Sequence, residues 1–567
     1  MMSLESKRKW IFPKKIIEID ILESILKERG VEDQDAFFSA DPSLIPDSSL
    51  LYDSSYATKR IIEAVENNEK IVIHGDYDAD GICASAILWD FLYRDLSLHM
   101  GKKIDVIPYI PSRIEQGYGL TESSINDVID LGAKLLISVD CGVRDCEIIH
   151  RYMEKGLDFV ITDHHQPPSD MPSRLKYPLV HQMYPQKEYP FVQICGATVA
   201  FLLIQQIKKE VGIDEQITED TKGLDLVALA TVTDMMPLQN INRVIVKLGL
   251  NQMRKGQRVG LKSLLLRAGI DPKLVNSYHL GYVIGPRINA SGRIGSPMEA
   301  VKLLVSRDEK LCNEISNNLE ILNAERQKMT EDMLNEADLQ AKDFVSEKLL
   351  FVIGNNWHEG VIGLVAGKLL EKYHKPVLVA TNNDGVVKGS ARSIQGFNIT
   401  KAFEKFSKYL ERYGGHELAG GFTLKEENVD NFRNSLLSCA NENITDEQLV
   451  SELNIDLFLN SGDIGVVLIN DLVKLEPFGY GNPRPLIVLK NLVVFKKQVM
   501  GKESAHMKLT VKGDGIGLLT LTLFNCYSDT EKIFEENSID VVGYPDLNVW
   551  NGNECVQFNV KEWKFSC

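Results

Sequence analysis

Between residues 70 and 236 the sequence alternates short, uninterrupted apolar runs with segments of helical length. The runs are IVIH (71–74), IDVIPYI (104–110), LLISV (135–139) and DFVIT (158–162). Strands that are apolar along their whole length are typical of parallel sheets covered by helices on both faces. We therefore predict a doubly covered parallel sheet of the α/β class, with one helix starting near Gly81 and a last helix over LDLVALATVTDMM (224–236).

The rest of the chain predicts further parts of different character. Ile315, Leu319 and Leu322 recur at helical spacing and indicate a long bridging helix near 308–345. The final stretch holds short β-like runs separated by Gly and Asn turns, a pattern that indicates a small β-barrel. The predicted parts are a helical lead-in (1–50), the first α/β unit (51–245), a basic segment with the connecting helix (246–345), a second α/β unit (346–445) and the barrel (450–567).

Charge and cysteine content exclude some classes of protein. The chain has 63 Lys and Arg against 79 Asp and Glu, a net charge of -16, so its whole surface does not coat nucleic acid or an anionic membrane. Residues 241–310 nevertheless hold thirteen basic residues against four acidic ones. The start has no secretory pattern, and the nine cysteines form no CxxC pair. We expect a cytoplasmic monomer with reduced cysteines and neither a disulfide framework nor a membrane span.

Acidic and imidazole side chains follow three of the predicted strands. HGDYDADG (74–81) follows the first strand, Asp140 the third, and the tripeptide Asp163, His164, His165 the fourth. Any one of these alone is more often a solvated turn or a helix cap. Because parallel strands end at one edge of the sheet, where such sheets bind ligands, all three together indicate a functional site. Asp234 adds a fourth carboxylate from an apolar helix, where an unpaired Asp is expensive to bury.

The side chains at this edge suit divalent cations. Oxygen and imidazole ligands without thiolates favour Mn²⁺ or Mg²⁺ over structural zinc. Asp78, Asp80, Asp140 and Asp234 carry four negative charges, which two divalent ions cancel. Paired metal ions clamp a phosphoryl group for in-line displacement, so the chemistry predicted from the residues is phosphoester hydrolysis.

The motif series HGDYDADG, SVDCGV, ITDHHQP and ATVTDMMPL resembles that of the DHH phosphoesterases. Further segments are similar to one branch of that superfamily, the RecJ single-strand-specific exonucleases. They include YIPSRIEQGYGL (109–120), GPRINASGRIGSP (285–297), NAERQ (323–327), GNNWHEGVIGLVAGKL (354–369), GSARS (389–393), YGGHELAGGF (413–422) and EPFGYGNPRP (476–485). This ordered set extends over nearly the whole chain and is far more specific than a single motif.

The resemblance implies roles for individual residues. It implies that His74 and Asp78 hold one metal ion, that Asp80, His164 and Asp234 hold the other, and that Asp140 bridges the two. His165 would face the scissile phosphate as a hydrogen-bond donor. The expected catalytic residues are His165, Asp140 and Asp163. Asp163 would orient the metal ligands, as would Asp76. Which of His164 and His165 binds metal stays open.

The second α/β unit resembles the DHHA1 substrate-binding domain. Ser390 and Arg392, with Arg113, match the RecJ pocket for a 5′-terminal phosphate. The planar guanidinium group of arginine can donate hydrogen bonds to two phosphate oxygens at once. Arg287, Asn289 and Arg293 lie in the basic segment and are predicted strand-backbone contacts. His416 in a glycine-rich turn is a predicted substrate contact, and His358 a weaker one. The alternatives are surface ion pairs for Arg113 and Arg392, a helix C-cap for His416 and a polar cap for His358.

The terminal barrel resembles an OB-fold, a common binder of single strands. Phe495 offers a stacking face, although a lone phenylalanine is more often part of a core. Residues 484–512 contain one acid, Glu503, and seven basic residues: Arg484, Lys490, Lys496, Lys497, Lys502, Lys508 and Lys512.

The predicted function is a Mn²⁺- or Mg²⁺-dependent 5′→3′ exonuclease that releases 5′-mononucleotides from single-stranded DNA. The family setting implies DNA repair and recombination, with a single-strand-binding protein and a helicase as partners. One alternative is a phosphodiesterase for short oligoribonucleotides or cyclic dinucleotides, but small enzymes of that type lack the long helix and the barrel. The other is a metal-free binding scaffold, for which ligands should be missing, whereas every expected ligand is present.

Overall fold

The computed structural model of the protein describes residues 4–13, 20–172, 174–185, 189–213, 215–501, 505–513, 517–526, 529, 531–550 and 553–566. The chain forms two compact units. The central unit comprises residues 40–444 and 479–481, and the terminal unit comprises residues 1–39, 445–478 and 482–567. Among the described residues, no helix combines the length and apolar composition needed to cross a membrane.

The central unit contains the predicted parallel sheet. Its strands are β1 (Ile71–Gly75), β2 (Val106–Tyr109), β3 (Leu135–Val139), β4 (Asp158–Thr162) and β5 (Leu179–Val180). They pair in parallel in the order β2-β1-β3-β4-β5. Successive β1 residues enter opposite cores, Ile71 and Ile73 on one face and Val72 on the other. Helices therefore cover both faces, as the continuous apolar runs predict; the two-residue β5 was not predicted.

Two helix boundaries bear directly on the sheet edge. The helix after β1 begins at Ala79 with Asp78 as its N-cap, two residues before the predicted start. The last predicted helix ends at Thr233, which makes Asp234 its C-cap rather than part of the apolar helix. The longer helices up to the connecting helix are Ser54–Glu66, Ala79–Asp90, Glu122–Asp130, Cys146–Met153, Gly196–Glu210, Leu224–Thr233, Asn240–Lys255, Val259–Arg267, Gly285–Ile294 and Pro297–Val305.

The connecting helix is a single helix of 34 residues, Glu309–Lys342, as predicted. It leads into a second sheet with strands β6 (Leu350–Asn355), β7 (Val377–Asn383), β8 (Val386–Arg392), β9 (Arg412–Gly415) and β10 (Ala419–Lys425). The order is β9-β10-β8-β7-β6, with β6 and β7 parallel and the other pairs antiparallel. The main helices of this part are Glu359–Tyr373, Ile399–Lys405 and Val429–Asn443.

The terminal unit is built around a closed five-stranded barrel, which confirms the predicted OB-fold. Its strands follow one another around the barrel in the order Ile487–Met500, His506–Lys512, Leu519–Leu523, Asn553–Phe565 and Ser538–Trp550, and the last pairs again with the first. The short strand Leu457–Phe458 adds to the first strand, and Lys9–Ile11 pairs with Glu452–Asn454. Its helices include Ile21–Glu28, Gln34–Ser39 and Val466–Val473.

The N-terminal helices belong to the same unit as the barrel. Ile25 and Leu26 are buried in the core that also contains Phe558 and Trp563. The predicted lead-in contains the helices Ile21–Glu28 and Gln34–Ser39 but also the strand Lys9–Ile11, and its first 39 residues complete the core of a barrel more than 400 residues further along the chain. Local sequence patterns carry no signal for a contact of that separation.

The cysteines of the described chain are free, as predicted. Six of the eight are buried and Cys555 is exposed. Cys567, the ninth, lies outside the described residues.

Helix packing around Gly249 generates a test of the fold. A β-carbon at Gly249 would overlap the backbone of Leu224 and the side chain of Ala228, on the helix Leu224–Thr233 that leads into Asp234. Overpacking typically costs about 1–3 kcal/mol, so we expect Gly249→Ala to lower the free energy of unfolding by that amount. Gly367, also within a helix, has nothing within 4 Å of such a β-carbon. Gly367→Ala should be neutral or stabilising by about 0.5–1 kcal/mol. Equal urea midpoints for the two variants would contradict the close packing.

Candidate active site

The order of the strands creates a crevice at one edge of the first sheet. From β1 the chain passes to β2 on one side, whereas β3 lies on the other side. Loops that leave β1 and β3 in opposite directions leave a gap between them, and open α/β sheets bind ligands there. His74 is the last residue with a side chain in β1, and Asp140 follows β3 directly. The edge predicted from the sequence is thus the topological switch point of the sheet.

Carboxylate and imidazole atoms converge in this crevice. Three groups of side chains offer ligand atoms within 4.8 Å of one another: Asp76 with Asp78 and Asp140, Asp80 with His164 and Asp234, and Asp140 with His164 and His165. His164 Nε2 lies 3.1 Å from Asp140 Oδ1, 3.6 Å from Asp234 Oδ2 and 3.8 Å from Asp80 Oδ2. Asp140 belongs to two of the groups and so stands between the others.

The grouping differs in three respects from the ligand set that the family resemblance implies: Asp76 is included, His165 is included, and His74 is in none of the three groups. Asp76, expected only to orient ligands, lies in the group with Asp78 and Asp140. His74 is fully buried at the end of β1, and its Nδ1 lies 3.8 Å from Cys141 Sγ. Burial lowers the pKa of His74 to about 4, so its imidazole is neutral at physiological pH, the form that binds metals.

Several polar atoms in the crevice lack hydrogen-bond partners. Buried acceptors without a donor are costly, and native structures contain few of them. Their concentration at one point, with oxygen and imidazole chemistry and no thiolate, fits hard divalent cations. Within the described chain, the crevice atoms that form no hydrogen bond are His74 Nε2, Asp76 Oδ1, Asp140 Oδ1, His164 Nε2 and Asp234 Oδ2. The 3.1 Å contact between Asp140 Oδ1 and His164 Nε2 is not a hydrogen bond.

The electrostatics of the crevice lead to the same conclusion. Burial raises the pKa of Asp140 well above its usual value, and the charges of Asp80 and Asp78 raise it further. Burial also raises the pKa values of Asp76, Asp80 and Asp234, again with contributions from neighbouring carboxylates. Cations would cancel this repulsion between like charges.

Backbone groups hold the carboxylates in place. Asp80 Oδ2 accepts a hydrogen bond from Gly196 N at 2.6 Å and Oδ1 accepts one from Ala197 N at 2.7 Å, at the start of the helix Gly196–Glu210. A helix N-terminus favours a negative charge. Position 196 must be glycine, because a β-carbon there would lie 2.6 Å from Asp140 Cβ.

Asp163 organises the loop that follows β4. Its Oδ1 accepts hydrogen bonds from the backbone N–H groups of His164 (2.7 Å) and His165 (3.1 Å) and from His165 Nδ1 (2.8 Å). Its Oδ2 accepts one from Val143 N at 2.9 Å. Burial opposes ionisation of Asp163, but these bonds and the charge of His165 lower its pKa overall. Burial likewise opposes protonation of His165, yet the bond to Asp163 raises the pKa of His165 above its ordinary value.

Three residues at this loop were missed in the sequence. His181 Nδ1 accepts from Met183 N at 2.9 Å, so its Nε2 carries the proton and donates to His165 O at 2.9 Å. Gln182 Nε2 donates to His164 O at 2.8 Å. Both residues follow β5, and the rule applied to the other strands would have found them had that two-residue strand been predicted. Tyr118, within the quoted motif YIPSRIEQGYGL, places its hydroxyl 3.2 Å from His165 Nδ1.

The residues matched to a 5′-phosphate pocket lie close together. Arg392 Nη1 donates to Ser390 Oγ at 3.4 Å and to Ala391 O at 2.9 Å. Arg113 lies over the ring of Tyr77 at 5.0 Å from its centroid. Burial, and then the charge of Arg113, lowers the pKa of Arg392. Within the described residues neither arginine forms an ion pair with a carboxylate, so the alternative of surface ion pairs is not what the structure contains.

The helix Gly285–Ile294 presents its predicted contacts in different ways. Arg287 binds both carboxylate oxygens of Glu320, at 2.6 and 3.1 Å, so its charge is neutralised internally. Asn289 Oδ1 accepts from Ala79 N at 2.7 Å, which links this helix to the loop after β1. Arg293 Nη1 donates to Gly360 O at 3.0 Å; burial, followed by the charges of Arg113 and Arg326, lowers its pKa to about 10. Arg326, in the motif NAERQ, was missed.

The two candidate histidines of the second sheet have different surroundings. His416 is exposed in the turn between β9 and β10, where its N–H donates to Ala419 O, so it is not a helix C-cap. Burial, then the charges of Arg144 and His165, lowers the pKa of His416, which places it in electrostatic reach of the loop after β4. His358 is the N-cap of the helix Glu359–Tyr373, its Nδ1 accepting from Gly360 N, which is the polar-cap alternative.

In the terminal unit, basic residues line two neighbouring barrel strands. Lys508 and Lys512 alternate with buried residues and point outward from the strand His506–Lys512. Lys496 and Lys497 lie opposite Thr510 and Leu509 on the adjacent strand. Phe495 is 65% exposed at a β-bulge and is not a core residue. Lys502 and Glu503 lie outside the described residues.

Three family models match the chain in the order of its parts. They are the DHH family N-terminal domain over residues 70–231, the DHHA1 domain over residues 345–442 and the RecJ OB domain over residues 455–562. Together with the acidic crevice, these matches define a protein of the DHH–DHHA1 class.

Curated relatives and solved structures narrow the class. The single-stranded-DNA-specific exonuclease RecJ of Bacillus subtilis is 34% identical over 89% of this chain, and that of Thermus thermophilus is 31% identical over 87%. The chain spans 62% of the first relative and 68% of the second. The crystal structure of Thermus thermophilus RecJ in complex with Mn²⁺ superposes with a TM-score of 0.82 at 26% identity, over 98% of this chain and 79% of that one. A structure of exonuclease RecJ bound to manganese matches at 31% identity and a TM-score of 0.60, over 70% of this chain and 96% of that one. The chain belongs to the RecJ family.

The unpartnered acceptors predict a pH-dependent response to metal. Because their raised pKa values let carboxyl groups of the crevice hold protons at low pH, binding of Mn²⁺ must displace protons. We expect Mn²⁺ to raise the melting temperature more at pH 8 than at pH 5.5. At a hundredfold excess of free Mn²⁺ over its Kd, binding adds about 2.7 kcal/mol to the free energy of unfolding. Asp234→Asn should reduce the shift, whereas Asp130→Asn, at an exposed position, should not. A shift that is independent of pH in differential scanning fluorimetry would count against carboxylate ligands.

Proposed function

We propose that the protein is a metal-dependent 5′→3′ exonuclease that hydrolyses single-stranded DNA to 5′-mononucleotides. The observation that carries the proposal is the presence, within one compact unit, of buried acceptors that lack hydrogen-bond partners and of arginines for which the described residues supply no carboxylate partner. The acceptors suit divalent cations, and the arginines suit phosphate. The family relatives, described as single-stranded-DNA-specific exonucleases, support the choice of substrate.

We assign two sites for Mn²⁺ or Mg²⁺, ions of the kind that solved RecJ structures contain. Asp80, His164 and Asp234 would hold one ion, and Asp78 with His74 would hold the other, with Asp76 close enough to contribute. Asp140 lies between both groups, which suits a bridging ligand. When bound, such a pair of ions supplies a hydroxide nucleophile and neutralises charge on the phosphoryl group.

The loop after β4 would act on the scissile phosphate. Asp163 fixes the orientation of His165 through Nδ1, which leaves Nε2 to donate a hydrogen bond. The raised pKa of His165 favours its protonated form, so it can stabilise negative charge as it develops on a phosphate oxygen. His181 and Gln182 hold the backbone of the same loop through the carbonyl groups of His165 and His164.

The arginine pocket would determine polarity. Arg113, Ser390 and Arg392 lie together, and a terminal phosphate bound there would present the adjacent phosphodiester to the crevice. Arg293 would contact the strand backbone, as would Asn289 through its amide nitrogen, and His416 would contact the substrate from the second sheet. We further propose a role in DNA repair and recombination in the cytoplasm, with a helicase and a single-strand-binding protein as partners; the family resemblance supports this part.

The test is digestion of a 3′-labelled, 5′-phosphorylated oligonucleotide with Mn²⁺, free or annealed in a blunt duplex. We expect stepwise shortening from the 5′ end of the free strand only. Asp140→Ala should abolish hydrolysis and leave strand binding largely intact. Intact long strands, with cleavage only of oligomers of two to five nucleotides, would instead identify a small-substrate phosphodiesterase. No hydrolysis of any substrate would overturn the proposal.

A second prediction addresses the pocket. Removal of a charge-assisted hydrogen bond typically costs about 1.5–3 kcal/mol, so Arg392→Ala should lower kcat/KM for 5′-phosphorylated strands by about tenfold or more. For 5′-hydroxyl strands the loss should be small. Arg412→Ala, at an exposed arginine of the same sheet, should change neither value. Equal losses for both kinds of end would remove the pocket assignment.

A further inference from the structure

Two tyrosines form an exposed stack outside the residues considered so far. The ring centroids of Tyr278 and Tyr282 lie 4.9 Å apart with an interplanar angle of 25°. Tyr278 is 60% exposed and Tyr282 is 74% exposed. Tyrosine combines a large apolar ring with a polar tip and is enriched at interfaces, so two stacked tyrosines this exposed suit a contact surface. We call these two residues the tyrosine pair.

The backbone beneath the tyrosine pair is firmly anchored. Residues 277–294 are helical throughout: α-helical over Ser277–His279, π-helical over Leu280–Ile284 and α-helical again over Gly285–Ile294. Leu280 and Ile284 are fully buried on the side facing the core. Short π-helical insertions are frequent at functional sites. The pair is therefore presented by a rigid element, which lowers the entropy lost when a ligand stacks on it.

This helical segment runs past the acidic crevice. A β-carbon at Gly281 would touch Val232, and one at Gly285 would overlap Thr233, so the segment packs against the residues that lead into Asp234. Further along, Asn289 binds Ala79 N beside Asp78. At the far end, Arg293 lies near Arg113. The order along the segment is therefore the tyrosine pair, the crevice and the arginine pocket.

The spacing suits a strand that crosses the crevice. From Tyr282 to Arg293 is eleven residues, about 16 Å of helix. A strand whose terminal phosphate lies near the arginines would pass the crevice and bring later nucleotides to the tyrosine pair. The pair also belongs to the stretch of residues 241–310, which holds thirteen basic and four acidic residues, an excess of nine positive charges. Although Lys255, Arg258 and Arg287 are ion-paired, the remaining excess suits a polyanion.

We propose that Tyr278 and Tyr282 form a stacking platform for bases of the single strand on the side of the metal centre opposite the terminal-phosphate pocket. The inference rests on the proposed function and deepens it, because it gives the path of the strand within the central unit. Stacking on tyrosine accepts any base, which suits an enzyme that shortens strands irrespective of sequence. Exposed Met235, next to Asp234, adds apolar surface at the same end of the crevice.

The test uses the full chain and a 3′-fluorescein, 5′-phosphorylated 15-mer of thymidylate. With EDTA present to prevent hydrolysis, fluorescence anisotropy should show Kd raised about tenfold or more for the double variant Tyr278→Ala, Tyr282→Ala. The double variant to Phe keeps the rings and should remain within about twofold of the wild type. Tyr56→Ala, at an exposed tyrosine on the helix Ser54–Glu66, should have no effect.

Hydrolysis of a 5′-phosphorylated dinucleotide in Mn²⁺ separates this inference from the proposed function. The dinucleotide is too short to reach the tyrosine pair, so the alanine and wild-type proteins should cleave it at equal rates. Wild-type affinity of the alanine variant for the 15-mer would overturn the platform, even if single strands are cleaved from the 5′ end. Unchanged strand binding with a changed molecular mass in solution would identify a protein contact surface instead. Failure of the wild type to bind or cleave single strands would overturn the proposed function itself.

Discussion

Repulsion among buried carboxylates around Asp140 is the constraint on which the rest of the central unit depends. Asp76, Asp78, Asp80 and Asp234 surround it at a sheet edge where Asp76, Asp80 and Asp140 are buried and Asp78 and Asp234 are half-buried. Such a cluster is unfavourable in isolation and persists only if its surroundings fix each member. The helix N-terminus at Gly196 and the cap at Asp78 provide this support through backbone N–H groups. Other acceptor atoms of the crevice, among them Asp140 Oδ1 and Asp234 Oδ2, receive no hydrogen bond, and their convergence suits cations.

A complementary arrangement of positive charge lies next to the carboxylates. Arg113 lies over the ring of Tyr77, and burial, followed by the charge of Arg113, lowers the pKa values of Arg293 and Arg392; no carboxylate partner is described for any of the three. Had the two sets been interleaved as ion pairs, each would have neutralised the other and neither cation nor phosphate would be recognised. Arg287, on the same helix as Arg293, is paired with Glu320, and this pairing cancels its charge. Separation of the charges thus costs stability and creates the capacity to bind ligands of both signs.

The sequence was most informative where one strand determines one site residue. β1, β3 and β4 are buried on both faces, so each appears in the sequence as a continuous apolar run that predicts a strand. Because the strands are parallel, the residues that follow these runs meet at one edge of the sheet. The long helix and the barrel could also be predicted, because the spacing of apolar residues that indicates them lies within short stretches of sequence. Assigning a ligand set residue by residue required more than this: Asp76 joins Asp78 and Asp140 through loop geometry, which no periodicity describes. His181 was missed because the strand before it has only two residues, too few to show an apolar run in the sequence.

Contacts between distant segments explain the remaining differences. Asn289 was a predicted backbone contact of the substrate, but its amide oxygen binds Ala79 N, 210 residues away, and so helps to hold the loop after β1. The same helix carries the tyrosine pair at one end and Arg293 at the other. A single element therefore supports the acidic loop while presenting side chains of different chemistry on either side of it. Because its position is fixed by contacts with Thr233 and Tyr77 rather than by its own sequence, its function could be inferred only once the fold had brought those residues together.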